Sequence, residues 1–399
     1  VNATPPLLHV IGAGPWQLGT IRRAKAMGLR VLATDGLADR PGYAEADRHE
    51  VADITDAEAT LAVARRHRIG GVICDSTDFG VLTAACVAQA LGLPGPGVEA
   101  ARCCTDKALM TEAAARAGLA VPRSRRARGR AEALHAAREV GTPLVVKPVG
   151  NQSGRGVSIV AEADPAALEA AVDNALAHTR GGELLVQQCV PGREIIVDSL
   201  VHERRPHVLG IAVKAPYGDN PTVSTRITYE PAELPAARAA IERCNAALIA
   251  AVGLRQGLTH AEYIVTDDAV LPIDLAARGG GVMIHPLVLS HLAGADIGRA
   301  VIGLALGQAP QLPPAPRRAA NIEFLRALPG RIATIEGADA ARACSGVAAV
   351  HLNLRPGDTV GGLEHKDQRL GFVVTLADTA ADTVAQGERA AALICTTVH

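Results

Sequence analysis

The stretch Val145–Val160, VVKPVGNQSGRGVSIV, decides how this chain is read. Two apolar runs rich in β-branched residues flank a loop that carries Gly150, Gly154 and Gly156, and Lys147 stands just ahead of it. Such runs favour strands, so the pattern predicts a hairpin whose tip is bare backbone beside a fixed positive charge. Backbone N–H groups and an ammonium both stabilise phosphate oxygens, which makes a phosphate chain the expected ligand. A strand on the far side of the loop excludes the P-loop, in which G-K-[S/T] leads into a helix. A glycine-tipped hairpin can instead fold down over a triphosphate, as in protein kinases. The tripeptide Asp78-Phe79-Gly80 invites that comparison. It precedes the glycine loop, no H-R-D accompanies it, and it is taken as coincidence.

A second glycine loop, VIGAGPWQLG, spans Val10–Gly19. It lies between an apolar run and an amphipathic one, as a dinucleotide fold would have it, and Asp35 ends the next strand where a ribose partner could sit. Its third glycine comes late, G-x-G-x-x-x-x-G in place of G-x-G-x-x-G. Either this is an NAD site, or the glycines make a tight turn whose helix faces a small anionic substrate or nothing.

Bulk properties narrow the field. At 399 residues, 48% hydrophobic and 20% charged, the chain has the makings of two or three globular domains. A net charge of −1 gives no electrostatic case for nucleic acid or an anionic membrane. Aromatic residues are 2%, which argues against base-stacking surfaces. No apolar run reaches the roughly 18 to 20 residues of a membrane span. The opening VNATPPLLHV has no basic segment or h-region, so a cytoplasmic protein is expected. The eight cysteines form no C-x-x-C pair or zinc-finger cluster and are expected to be small buried hydrophobes.

Along the chain, the first hundred residues alternate strand and helix, which predicts an α/β, Rossmann-like domain over 1–100 with a parallel sheet between helices. LPGPGVEAA (Leu93–Ala101) breaks the pattern. TDKALMTEAAARAG reads as a helix capped by Thr105 or Asp106. From about Leu144 the texture becomes α+β, continuing through strands at LTHAEYIVT and AVLPIDLAARGG and a helix read from Glu233. GQAPQLPPAPRR reads as a linker, and the tail from Ala319 as a small α+β unit. The expected division is 1–100, 101–312 with a smaller body at about 123–190, and 313–399.

Three further features bear on chemistry. VQQCVPGRE (Val186–Glu194) runs a strand into a turn, offering backbone groups that can read adenine and a carboxylate that can accept ribose hydroxyls. Glu262 and Asp274 each interrupt an otherwise apolar strand, and paired carboxylates facing a nucleotide are how magnesium is bridged to phosphates. Arg278 follows Asp274 by four residues and can neutralise a charged intermediate.

In this order, TDKALM, VVKPVGNQSGRGV, VQQCVPGRE and THAEYIV…VLPIDLAARGGG resemble the ATP-grasp superfamily over roughly residues 1–310. The resemblance implies an N-terminal parallel-sheet domain, a small lid and a nucleotide cleft between two α+β units. It places ATP with Lys147, not a dinucleotide with the first loop. Carried over residue by residue, Lys107 and Lys147 would contact phosphates, and Ser153, Gly154 and Gly156 would cover them. Gln187, Gln188, Cys189 and Val190 would bind adenine through backbone groups, Glu194 would hold ribose, and Glu262 and Asp274 would ligate Mg2+. Where the family commonly has E-x-N-P-R this chain has D-L-A-A-R, so Ala276 supplies no ligand to a second ion. The tail, Leu328–Val360 and Arg369–Ala390, resembles the C-terminal domain of L-amino-acid ligases.

The implied activity is an ATP-dependent carboxylate–amine ligase working through an acyl phosphate, with Arg278 and Arg226 stabilising it. Its partners would be a small carboxylate and an amine of amino-acid type, with no nucleic acid, no membrane and room for a homodimer. A purine-pathway or biotin-carboxylase-like enzyme activating bicarbonate or formate is the alternative within the family. A nucleotide-binding regulatory protein is the alternative outside catalysis.

Overall fold

The computed structural model describes residues 5–218, 220–232, 234–314, 318–363 and 366–399. The first four residues, Glu233 at the head of its expected helix and 315–317 of the proline-rich stretch lie outside them. At the N-terminus four parallel strands pair in the order Arg48–Val51, Arg30–Asp35, Leu7–Ile11, Gly71–Ile73. Leu8, Val10, Ile11, Val31 and Leu32 are fully buried, as near-continuous apolar runs in a parallel sheet should be. The edge strand Arg48–Val51 escaped the sequence pattern because its residues, RHEV, are mostly exposed and polar.

The expected helix after the LPGPG break is Lys107–Arg116. Asp106 is its cap, accepting from the Ala108 and Leu109 N–H groups at 2.9 and 3.0 Å. That cap fixes Lys107 in the first helical turn. A second, antiparallel sheet follows in the order Ser124–Arg128, Glu183–Gln188, Leu144–Pro148, Ser158–Val160. With helices Gly129–Val140 and Pro165–Ala177 it forms a small body with its own core around Ala133, Val146, Val172 and Leu184.

The largest sheet has eight antiparallel strands in the order Val270–Ala276, Gly257–Val265, Arg193–His202, Arg205–Tyr217, Asn220–Tyr229, Ala319–Leu325, Gly371–Ala377, Val347–Leu352. The last three come from the tail. The segment beyond the proline-rich stretch is therefore zipped to the central strands through pairs such as Arg226 with Glu323 and Tyr229 with Ala320. Helices Leu289–Ala293 and Ile297–Ala305 pack Leu292, Ile297 and Leu304 into one core with Val10 of the first sheet and Ile21 of the helix Leu18–Ala26.

Among the described residues no single helix is long and apolar enough to cross a membrane. Cys74, Cys104 and Cys244 are buried as expected. Cys395 is exposed and the other four are intermediate, so burial describes only part of the set.

Candidate functional site

A cavity of about 460 Å3 opens where the small antiparallel body, the N-terminal sheet and the eight-stranded sheet meet. The glycine loop is one wall. Ser153 and Gly154 line it in left-handed conformations, with φ of 63° and 71°. Gly156, at φ 75°, points elsewhere. A Cβ there would come within 2.8 Å of His178 and 3.0 Å of Pro148, so its role is to let the loop turn under the body. The loop is pinned from both sides. The Asn151 amide donates to His178 O at 3.0 Å, and the Lys107 ammonium donates to Asn151 O at 2.8 Å. Gln152 Oε1 accepts from the Asp78 N–H at 3.1 Å.

Lys147 lies at the floor, 7% exposed, and donates to Ile273 O at 3.2 Å. Burial pulls its pKa down to about 8, Asp274 opposing and Lys107 assisting. Lys107 pairs with Asp274 at 3.2 Å. Asp274 and Glu262 stand directly opposite each other on neighbouring antiparallel strands, so both carboxylates face the same side. Glu262 pairs with Lys214 at 3.1 Å, and the same ammonium pairs with Glu194. Burial works against the Lys214 charge, but Glu194 and Glu262 together hold its pKa well above the ordinary value.

Gln187, Gln188, Cys189 and Val190 also line the cavity. Two of their backbone donors are committed, Gln188 N–H to Arg123 O and Cys189 N–H to Pro143 O. The Gln187 side chain, 2% exposed, carries instead a buried amide nitrogen without a protein partner. An orphaned donor in a cavity wall asks for a ligand acceptor. Together with two lysines on the glycine-loop side, it fits a nucleotide. The carboxylate pair fits magnesium bound through substrate phosphates and water. Among the described residues no cluster of three His, Cys, Asp or Glu could cage an ion alone.

Arg278, beyond the carboxylates, donates to Asp78 Oδ2 at 2.7 Å, while Asp78 Oδ1 is buried and unpartnered. Asp78, the first residue of the D-F-G tripeptide set aside in the sequence, is thus brought into the site. Arg226 is not brought in. Its guanidinium pairs with Glu323 at 2.7 Å and with Glu388 on the far side of the sheet, a correction to its expected role. Its alternating neighbours Ser224 and Ile227 face the cavity instead, a bulge shifting the register between them.

Lys214, Lys366 and Arg369 were missed. Lys214 had the same signal as Glu262, a lone charge inside an apolar strand. Lys366 and Arg369 come from the tail, more than 100 residues from the strands they face, and no local pattern marks them. Lys214's charge, then burial, presses the Lys366 pKa downward.

The first glycine loop is held by its own bonds. Asp35 accepts from the Ala13 N–H at 3.0 Å and pairs with Arg40 at 3.1 Å, and Gly42 N–H donates to Ala13 O at 2.8 Å. The carboxylate that would take ribose is holding the loop.

Residues 140–285 match the ATP-grasp domain family, and residues 323–399 match L-amino acid ligase C-terminal domain 2. The uncharacterized protein y4rH of Sinorhizobium fredii is 30% identical over 382 residues, 92% of this chain and 77% of that one. A formate-dependent phosphoribosylglycinamide formyltransferase of Synechococcus sp. (strain CC9902) is 26% identical over 404 residues, 99% of this chain and 98% of that one. In fold, the chain is similar to the L-amino acid ligase from Bacillus licheniformis, with a TM-score of 0.84 over 100% of both chains at 21% identity. The chain carries an ATP-grasp domain and, after it, L-amino acid ligase C-terminal domain 2.

Proposed function

We propose that this enzyme joins a carboxylate to an amine at the expense of ATP, with amino acids as the substrate type. The observation that carries the reading is that one cavity holds two sets of groups. Lys107, Lys147, Gln187 and the Glu262–Asp274 pair line it, and so do Arg278 and Asp78, which face each other with one carboxylate oxygen free. The first set suits a nucleotide triphosphate. The second suits a zwitterion, whose carboxylate would meet Arg278 and whose ammonium would meet Asp78.

Lys107 and Lys147 would hold the phosphates, with Ser153 and Gly154 lying over them. Glu262 and Asp274 would hold magnesium, which when bound withdraws charge from the transferring phosphoryl group. A substrate carboxylate oxygen attacks the γ-phosphorus of ATP and ADP leaves. The acyl phosphate is kept from water by the glycine-loop body closed over it. An amine nitrogen then attacks the acyl carbon, loses a proton, and phosphate departs with the bonding pair. Arg278 stabilises the charge on the tetrahedral oxygen and the leaving phosphate. No protein side chain becomes covalently bound.

The formyltransferase relative, aligned over nearly its whole length, favours a second reading in which formate is the acid. ADP release measured with pairs of L-amino acids, and separately with formate and glycinamide ribonucleotide, tests both. Stimulation by amino acids alone supports the proposal. Stimulation by formate alone replaces it with the second reading, and stimulation by neither points to a protein that binds the nucleotide without this chemistry.

A further inference from the structure

His285 lines the cavity and is 5% exposed, yet its Nδ1 is buried with no protein partner. A buried nitrogen left unpaired is costly, and on a residue of a cavity wall it asks for a ligand. The other ring nitrogen is committed. Nε2 stands 3.3 Å from Oδ2 of Asp75, a buried aspartate that also accepts from the Thr20 and Ser76 hydroxyls. Burial works against the Asp75 charge, but the bonds from His285, Thr20 and Ser76 outweigh it and hold its pKa below the ordinary value. A carboxylate can only accept, so Nε2 carries the ring's proton and Nδ1 presents a lone pair.

The backbone that delivers His285 is strained. Val282 and Met283 are consecutive left-handed residues, at φ 48° and 63°, and neither is a glycine. For a β-branched valine that conformation is an outlier. The turn that follows, Ile284–Val288, is a π-helix, a form that recurs at functional sites. Such strain persists only where the surroundings over-determine it, and its product here is an imidazole in the cavity wall.

Gly279 receives the ring. A Cβ there would fall 2.6 Å from Nδ1, so the residue after Arg278 must lack a side chain. The Gly279 N–H donates to Asp75 O at 3.0 Å, and its carbonyl accepts from Arg278 Nη1 at 3.0 Å. Arg278 in turn donates to Asp78 at 2.7 Å. His285, Asp75, Gly279, Arg278 and Asp78 are thus one connected unit, and it includes the arginine read above as steadying the tetrahedral oxygen.

Resting on the ligase reading, we infer that His285 is the catalytic base that frees the attacking amine, with Asp75 as the positioning residue that fixes its tautomer. The amine arrives as an ammonium, which has no lone pair for the acyl carbon. Nδ1 takes one proton from it, and the freed pair forms the C–N bond as the C–O bond to phosphate breaks. A second proton leaves the nitrogen with the departing phosphate, and the imidazolium returns its own to water. Asp78 suits this step less well, since its carboxylate is paired with Arg278. Imidazole is the side chain whose ordinary titration lies nearest neutral pH.

Hydroxylamine separates this step from the one before it. It is uncharged at neutral pH, needs no base, and traps an acyl phosphate as a hydroxamate. With the full chain, ATP and L-amino acids, His285→Gln should lower peptide formation about a hundredfold or more, the scale of general-base catalysis. Hydroxamate formation from the same amino acid should stay at the wild-type rate. Glutamine keeps a donor for Asp75, and the hydroxamate reaction itself reports that the variant is folded and uses ATP. Asp75→Asn can donate to Nε2 and drive the ring's proton onto Nδ1, so it should show the same selective loss. Peptide formation undiminished in His285→Gln, or both products lost equally from His285→Gln and His285→Asn, overturns the assignment while the ligase reading stands. A wild-type enzyme that makes no hydroxamate from any amino acid removes the ligase reading, and this proposal with it.

Discussion

Replacing Lys214 with methionine should destabilise the enzyme through a mechanism the structure makes specific. The Lys214 ammonium, on a residue 7% exposed, sits between Glu194 and Glu262, whose side chains are 27% and 17% exposed. At the 3.1 Å separation from Glu262, a single pair is worth about 5 kcal/mol at an effective dielectric of ~20 and about 1 kcal/mol in bulk water. Removing one partner of a buried pair costs about 3–5 kcal/mol, because the remaining charge stays desolvated. Here Lys366 faces the same carboxylates and is relieved of its repulsive neighbour once Lys214 is gone. The expected loss is therefore at the low end, about 3 kcal/mol, measured by urea unfolding of the full chain followed by far-UV circular dichroism. Adding Glu262→Gln should recover part of that loss, since the orphaned charge is then removed, and the double-mutant cycle should show coupling of at least 1 kcal/mol. A loss under about 1 kcal/mol, or strict additivity, would refute the claim that this lysine neutralises a buried acidic pair.

Arg278→Lys should cut kcat about a hundredfold or more, since a planar fork serving a developing charge is not replaced by a point charge. Arg226→Ala should leave kcat within about threefold while costing about 1 kcal/mol of stability, because its partners Glu323 and Glu388 belong to the tail and not to the cavity. Lys147 titrates near pH 8 in the folded protein, below its ordinary 10.5, because of burial. The unfolded chain therefore binds more protons between pH 8 and 10.5, and this group's contribution makes the fold more stable as pH rises through that window. Nucleotide affinity should run the other way. ATP binding should weaken above pH 8 and be accompanied by proton uptake, detected by calorimetry in buffers of different ionisation enthalpy, and Lys147→Met should abolish the uptake. For the metal, Mn2+ titration with an ATP analogue should find one tight ion, and Glu262→Gln and Asp274→Asn should each reduce turnover by orders of magnitude. Two tight ions would show that Ala276 costs nothing.

Much of the nucleotide site was legible because its signals are local. Lys147 and its loop form one hairpin. Asp106 caps the helix that carries Lys107, and Glu262 and Asp274 are charges in apolar strands with a short turn between them. The remaining groups were not legible because topology assembles them. Asp78 meets Arg278 across 200 positions. Arg226 misled for a related reason. A bulge between Pro216 and its neighbours decides which side of the strand each residue faces, and alternation read from sequence cannot locate a bulge. The polar texture of Asn220–Tyr229 hid the strand itself, though Val223, Ile227 and Tyr229 supply its buried face.

The unbroken pairing from Val270–Ala276 through to Val347–Leu352 limits how this enzyme can be rebuilt. Proline-rich linkers are the customary places to exchange modules between relatives, and residues 307–318 look like such a joint. A cut there would separate two strands, Asn220–Tyr229 and Ala319–Leu325, that share a register of four residue pairs and the Arg226–Glu323 clasp. A transplanted tail would have to match that edge rung for rung, and would bring its own cavity-lining residues with it. A new tail and a re-matched sheet edge are then a single engineering problem.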